Sequence, residues 1–314
     1  NTLVAQLAGH TDAVMCVAYS PDGSMIATGS SDTTIKLWNA ATGTEIATIT
    51  GHLGDVLGVA FSPNGQHIAS VSTDGQVRMW RVSDQQLVWS DTASDAFAMC
   101  VAFSPDGSTV ATGASTSASG SLKLWNAADG TPLAATVGYT DAIRSVAFSP
   151  DGLVIVTGGN HDDTGRLQFW HATSLGLLQT YDLETGSGTA TNGVTAVAYA
   201  PNKASVLYGR SDATVVRCAN PFWPVPTTLD VVPIVGQIGE IVTLKADLTV
   251  ALNGSAVLGK SVTFQIDGSD VGTGVTDASG RATHEFRIPE AQGVGDADIG
   301  AAFAGDDAYG SSTG

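Results

Sequence analysis

Gly9-His10-Thr11-Asp12-Ala13-Val14, followed by Ser20-Pro21-Asp22-Gly23 and closed by Ile35-Lys36-Leu37-Trp38-Asn39, is the stretch that decides the fold. Most of the first 218 residues are imperfect copies of it, and copying at a regular period is read before any local feature. The turn returns as Ser62-Pro63-Asn64-Gly65, Ser104-Pro105-Asp106-Gly107 and Ser149-Pro150-Asp151-Gly152, with a worn copy at Ala200-Pro201-Asn202-Lys203. Successive offsets are 42, 42, 45 and 51 residues. Tryptophan returns in step at Trp38, Trp80, Trp125 and Trp170, and Cys218 takes its place in the fifth copy.

Within one copy, Val14-Met15-Cys16-Val17-Ala18-Tyr19 is nearly continuous apolar, the pattern of an inner strand covered on both faces. Proline presets φ in the turn that follows, and glycine accepts a positive φ after aspartate. Met25-Ile26-Ala27-Thr28, Ile35 to Trp38 and Glu45-Ile46-Ala47-Thr48-Ile49 read as three further strands, and four antiparallel strands per copy make one propeller blade. The Gly-His opening, the Ser-Pro-Asp-Gly turn and the closing Leu-Trp-Asn at this period closely resemble the WD-repeat β-propeller family over residues 1–218.

The resemblance implies a propeller over residues 1–219 with five recognisable blades. The segment from Leu3-Val4-Ala5-Gln6-Leu7 to Gly9-His10 aligns with that from Ile46 to Gly51-His52, so the chain opens on an outer strand with no blade of its own. The fifth copy runs into a linker at residues 220–226, Asn220-Pro221-Phe222-Trp223-Pro224-Val225-Pro226, whose prolines forbid a regular fourth strand. Closure of a five-bladed ring by the two ends of the repeat region is therefore expected. A truncated larger ring is the alternative, because members of this family more often have seven blades. Gly-His survives at Gly9-His10 and Gly51-His52, becomes Gly138-Tyr139 in the fourth copy, and is absent from the third and fifth. Insertions at Ala114 to Gly120 and Asn160 to Gly165 lengthen the turns between second and third strands.

After the linker the periodicity changes to strict alternation in Ile241 to Ala246, Val262 to Ile266 and Ala282 to Arg287, separated by the turns Asp267-Gly268 and Ser279-Gly280. This order, ending in Ala302-Phe303-Ala304-Gly305-Asp306-Asp307-Ala308-Tyr309, resembles bacterial immunoglobulin-like repeat domains over residues 227–314. It implies a β-sandwich, with no last strand expected after Tyr309. The whole chain is thus expected to be all-β.

The formal net charge is −17, from 13 basic and 30 acidic residues, so the surface repels phosphate backbones and anionic lipid. Nucleic-acid partners are disfavoured, and no apolar run has the length of a membrane-spanning helix. Three cysteines make no disulfide framework, and Cys16 and Cys100 occupy equivalent strand positions in different copies. No phosphate loop, dinucleotide fingerprint or paired Cys-x-x-Cys is present, so no cofactor is expected.

His10, Ser30, Asp32 and Trp38 recur as His52, Ser72, Asp74 and Trp80 with identical Ser-to-Asp and Asp-to-Trp spacings. Serine, histidine and aspartate together invite a catalytic-triad reading, but repetition in two copies argues against a single active site. The resemblance implies instead a buried hydrogen-bond network tying the strands of a blade through the indole N–H. His161-Asp162-Asp163 reads as a solvated loop, since adjacent loop residues rarely complete a coordination shell. An enzyme with a site in the propeller channel is the weaker class, because the inner strands offer Val, Met, Cys, Ala and Ser.

The expected function is therefore a non-enzymatic structural and interaction protein. The immunoglobulin-like resemblance places it outside the cell or at a bacterial cell surface, with another surface protein or a second copy as partner. Leu3-Val4-Ala5-Gln6-Leu7 is the candidate assembly strand of a homo-oligomer or polymer, such as a filament or surface layer built by strand complementation. The alternative is a fragment of a larger cytoplasmic or sensor-linked WD-repeat scaffold.

Overall fold

Each Ser-Pro-Asp-Gly turn is held by its own side chains. Ser20 Oγ donates to Asp22 Oδ1 at 2.6 Å and accepts the Met25 N–H at 2.9 Å, while Asp22 Oδ1 accepts the Ser24 N–H at 3.0 Å. The Ser20 hydroxyl, with the Ser24 N–H, lowers the Asp22 carboxyl to about 2. Gly23 sits at φ +71°, which a side chain would strain. The same arrangement recurs at Ser62 with Asn64, Ser104 with Asp106, and Ser149 with Asp151.

The computed structural model describes residues 6–94, 97–115, 120–136, 142–161, 164–183, 193–211, 213–237, 239–289, 297–306 and 308–314. The chain divides into two units, Asn1–Ala219 and Asn220–Gly314. In the first unit each repeat is an antiparallel sheet in sequence order. Blade 1 holds β1 (Val14–Tyr19), β2 (Met25–Ser30), β3 (Ile35–Asn39) and β4 (Glu45–Ile49). Blade 2 holds β5 (Val56–Phe61), β6 (His67–Ser72), β7 (Gln76–Arg81) and β8 (Leu87–Thr92). Blade 3 holds β9 (Phe97–Phe103), β10 (Thr109–Ser115), β11 (Gly120–Asn126) and β12 (Pro132–Ala135). Blade 4 holds β13 (Ala142–Phe148), β14 (Val154–His161), β15 (Thr164–His171) and β16 (Leu177–Leu183). Blade 5 has three strands, β17 (Val194–Tyr199), β18 (Ser205–Arg210) and β19 (Val215–Ala219).

A bulge near the start of every inner strand explains the continuous apolar run. Pairing shifts between Val14 and Cys16, Val56 and Gly58, Ile143 and Ser145, and Val194 and Ala196, with the matching shift opposite Ala98 and Cys100. The extra residue resets the period-two alternation. Val56, Val59 and Phe61 therefore share the face turned to blade 1, where they join Cys16, Ala18, Ala27, Leu37 and Ile49 in one core cluster. Equivalent clusters form between blades 2 and 3 and between blades 3 and 4.

Inner strand packs on inner strand from β1 through β5, β9 and β13 to β17. Among the described residues, blade 5 forms no such interface with blade 1. The first inner strand is consequently bare on one face: Val14, Val17 and Tyr19 are 53%, 64% and 65% exposed, whereas Val56, Val59 and Phe61 are 0%, 8% and 9% exposed. This corrects two expectations, that β1 is covered on both faces and that the ends of the repeat region close a five-bladed ring. Residues 1–5, including Leu3, Val4 and Ala5 of the expected closing strand, lie outside the described residues, and Gln6 and Leu7 are not in a strand.

The insertions are taken up partly as strand. β10 and β11 stay paired out to Ser115 and Gly120, and β14 and β15 out to His161 and Thr164, so blades 3 and 4 carry lengthened hairpins.

The second unit contains β20 (Thr227–Val232), β21 (Ile241–Val250), β22 (Ser261–Ile266), β23 (Ser269–Val275), β24 (Arg281–Arg287), β25 (Ile299–Phe303) and β26 (Ser312–Thr313). They form two antiparallel sheets, ordered β20-β21-β24 and β23-β22-β25-β26, which meet through β20 with β25 and β26 and through β23 with β24. Leu244, Ala246, Leu248, Val262, Phe264 and Phe303 are buried. Strand β26, two residues long, pairs with β25 where the sequence reading expects none.

Tyr199 stands where blades 2 to 4 carry Phe61, Phe103 and Phe148, and its buried hydroxyl has no hydrogen-bond partner among the described residues. Tyr199→Phe should therefore stabilise the first unit by about 1 kcal/mol in a urea titration, because it removes a desolvated polar group without opening a cavity. A loss of stability would show that the hydroxyl is satisfied.

Candidate functional site

In blades 1 and 2 the candidate site residues gather where the segment before the first strand meets the second and third strands and the turn between them. In blade 1, Trp38 Nε1–H donates to Thr28 Oγ1 at 2.8 Å, and Thr28 Oγ1 lies 2.7 Å from His10 Nε2. His10 Nδ1 lies 2.8 Å from Asp32 Oδ2. A carboxylate only accepts, so Nδ1 carries the proton and Nε2 accepts from the threonine hydroxyl. The relay thus runs one way, from indole to hydroxyl to imidazole to carboxylate. Blade 2 repeats it with Trp80, Ser70, His52 and Asp74 at 2.8, 2.8 and 3.0 Å. The imidazole meets the indole edge-on, with ring centroids 6.1 Å apart in blade 1 and 6.2 Å in blade 2.

The glycine before each histidine is required by this contact. A Cβ on Gly51 would lie 3.0 Å from Trp80 Cη2, and Gly51 holds φ +141°. A Cβ on Gly9 would lie 3.0 Å from Trp38 Cη2 and 2.9 Å from Glu45 Oε2. Gly-His is therefore one unit, in which the small residue lets the backbone approach the indole that the histidine serves.

The aspartates also organise the turns. Asp32 accepts the Thr11 N–H at 3.0 Å and both the N–H and hydroxyl of Thr34. Asp74 accepts the Leu53 and Gln76 N–H groups, each at 3.0 Å, and Arg78 Nη1 at 2.6 Å. Burial by itself would raise both carboxyls. The donors outweigh it, chiefly the Thr34 hydroxyl for Asp32 and the Arg78 guanidinium for Asp74, and hold both well below the usual carboxylate range. Burial lowers His52, and Arg78 lowers it further, against the opposing pull of Asp74.

Of the eight expected network residues, the structure links His10, Asp32 and Trp38 in one blade and His52, Asp74 and Trp80 in the other. Ser30 and Ser72 are not the link between histidine and tryptophan. Each accepts an N–H from its own aspartate at 3.1 Å, and Ser30 Oγ also donates to Asp12 O. Side chains alternate across a strand, but Thr28 and Ser30 share a face, so alternation alone does not choose between them. The missed residues are Thr28 and Ser70, and their signal was a hydroxyl at a constant eight residues after the turn serine, Ser20 and Ser62. It persists in blades 3 and 4, where Trp125 Nε1 donates to Thr112 and Trp170 Nε1 to Thr157, each at 2.9 Å.

Chemically, the relay is closed. Ser70 is fully buried and Thr28 nearly so, and each hydroxyl lies between an imidazole and an indole, so neither stands before a substrate as a nucleophile. No group of three or more His, Cys, Asp or Glu side chains with metal-binding geometry occurs among the described residues. Gly138, Tyr139, Asp162 and Asp163 lie outside those residues. Cys16, Cys100 and Cys218 are free thiols, and burial pushes the first two up to about 12, far from the reactive range.

Residues 1–215 match the family model described as IFT122 first beta-propeller, and over that span the chain belongs to this WD-repeat propeller family. Short segments are similar to curated proteins. The chain is 58% identical over 40 residues to Protein Mut11 of Chlamydomonas reinhardtii, covering 13% of this chain and 11% of that protein. It is 48% identical over 46 residues to the Notchless protein homolog of Arabidopsis thaliana, covering 15% and 10%. It is 48% identical over 40 residues to the Intraflagellar transport protein 122 homolog of Danio rerio, covering 13% and 3%. The chain thus spans about a tenth of the length of the first two relatives. These findings overturn the expected location outside the cell or at a bacterial surface. The relatives are eukaryotic, and intraflagellar transport is by its name a process inside the cell.

Two outcomes follow from the relay. Trp38→Phe and Trp80→Phe each remove an indole donor from a buried chain and should destabilise the first unit by ~1–3 kcal/mol. Trp170→Phe should cost less, because Tyr139 replaces the histidine in that copy; equal shifts in chemical denaturation would refute the ranking. As to pH, His52, Asp32 and Asp74 all titrate below their ordinary values when folded. Their contribution is complete above the unfolded values and is lost as pH falls through the folded ones. Melting temperature should therefore hold above about pH 6.5, decline gently below it as His52 resists protonation, and fall steeply below about pH 4. A melting temperature that rises from pH 7 to pH 5 would contradict this.

Proposed function

We propose that this chain is a non-enzymatic protein-interaction scaffold, acting inside the cell as part of a WD-repeat assembly. The observation that carries the reading is the repeated, internally satisfied relay. The titratable groups that resemble catalytic machinery are used to fix strand against turn in two blades, at 2.7–3.0 Å, and their side chains are buried. Membership of a propeller family and similarity to WD-repeat proteins support protein partners. The lengthened hairpins of blades 3 and 4 are the natural place for partner choice, since neighbouring blades raise them at the same end of their sheets. We read residues 227–314 as an immunoglobulin-like sandwich, on the support of two contacting antiparallel sheets with an alternating β21.

The test joins two measurements. The chain should turn over none of a panel of ester, phosphate and glycoside substrates. It should also recover a partner from soluble eukaryotic extract saturably, with untagged chain competing. Replacing residues 115–120 with the blade 1 turn, residues 31–34, should abolish that recovery without shifting the melting curve. Turnover that Ser70→Ala removes while the protein remains folded would overturn the reading.

A further inference from the structure

The blade junctions repeat one set of pairings, and the two ends of the row each carry half of it. At the head of the inner strand, a β-branched side chain occupies the space left by a glycine on the preceding blade. A Cβ built on Gly29 would run into Val56, one on Gly113 into Ile143, and one on Gly158 into Val194. Between blades 2 and 3 the sizes are exchanged: Val71 stands at the glycine position, Ala98 at the β-branched one, and both lie in one core cluster. The exchange keeps the pair one large and one small, as close packing demands. A second pairing sets the glycine of each turn on the proline of the preceding turn. A Cβ on Gly65 would lie 3.7 Å from Pro21, one on Gly107 3.3 Å from Pro63, and one on Gly152 3.5 Å from Pro105.

At blade 1 the incoming half of this set has nothing opposite it. Val14, Val17 and Tyr19 are exposed, and a Cβ on Gly23 would meet nothing within 4 Å. At blade 5 the receiving half is bare. A Cβ on Gly209 would meet only Thr195 and Ala196 of its own blade, and Ala198, Leu207 and Val215 are exposed. One end thus offers a valine where the other offers a glycine, and a turn glycine where the other offers Pro201. A row of apolar side chains of this size on a sheet face marks an interaction surface.

The geometry points to head-to-tail association of two copies, in which the Val14 face of one chain packs on the Gly209 face of its neighbour as a further blade junction. The surface of this chain with the right large-and-small complement for blade 1 is its own blade 5. The contact is heterologous, so assembly continues until the row closes or grows. It stands on the open ends of the row and not on the identity of any other partner.

Sedimentation equilibrium over a concentration series of the 314-residue chain tests it. The wild type should rise above its 31.9 kDa mass with concentration. Val14→Lys and Leu207→Lys should each remain at 31.9 kDa alone. Mixed in equal amounts they should form a species of twice that mass and no larger, because each retains the face the other has lost. Both positions are exposed, so unchanged melting curves are expected, and Gly209→Val supplies a second block of the receiving face. A wild type that stays at 31.9 kDa overturns the proposal and leaves both faces to blades of another chain. Variants that assemble like the wild type, or that fail to complement, overturn it as well.

Discussion

A four-stranded sheet with apolar side chains on both faces needs a cover on each side, and among the described residues this chain has no helix to supply one. The cover is the next blade. Everything in the first unit follows from this constraint: the bulge that turns Val56, Val59 and Phe61 to one side, the small Cys16, Ala18 and Ala27 that receive them, and the glycines that let β-branched side chains seat. The same constraint makes the ends conspicuous. A blade that lacks a neighbour shows the surface the others bury.

The relay of tryptophan, hydroxyl, histidine and aspartate answers a second constraint, the cost of a buried indole N–H. Each blade from 1 to 4 gives its tryptophan a hydroxyl acceptor on the second strand. Blades 1 and 2 extend the chain to a histidine and an aspartate, which draws the Gly-His segment onto the indole and ties it to the turn between the second and third strands. Fully satisfied networks of this kind specify one arrangement of strands, and in blades 1 and 2 a triad-like set of residues is joined to the indole in such a network.

The chain joins this propeller to a second all-β unit under a net charge of −17. A bacterial immunoglobulin-like resemblance in that second unit carried the expectation of a surface location, and a resemblance of fold does not carry location with it. The repeat region is instead similar to eukaryotic proteins, one of them named for intraflagellar transport, and that overturns the expectation.

By itself the sequence determined what repeats with a short period. Four strands per copy, the Ser-Pro-Asp-Gly turns, three strands in the fifth copy and the place of each tryptophan are local matters of side-chain alternation, turn chemistry and proline, and all were legible. Recurrence of His10, Asp32, His52 and Asp74 was legible from spacing, and their membership in one kind of network was what the family resemblance implied, but Thr28 and Ser70 were not distinguished from Ser30 and Ser72. Two residues apart on a strand means the same face, and only the path of the preceding loop decides which hydroxyl the imidazole reaches. Tertiary structure alone decided whether β1 is covered. Val14-Met15-Cys16-Val17-Ala18-Tyr19 has an inner-strand pattern whether or not a blade lies against it, because the pattern records what the strand can bury, and burial depends on a neighbour far along the chain or on another chain.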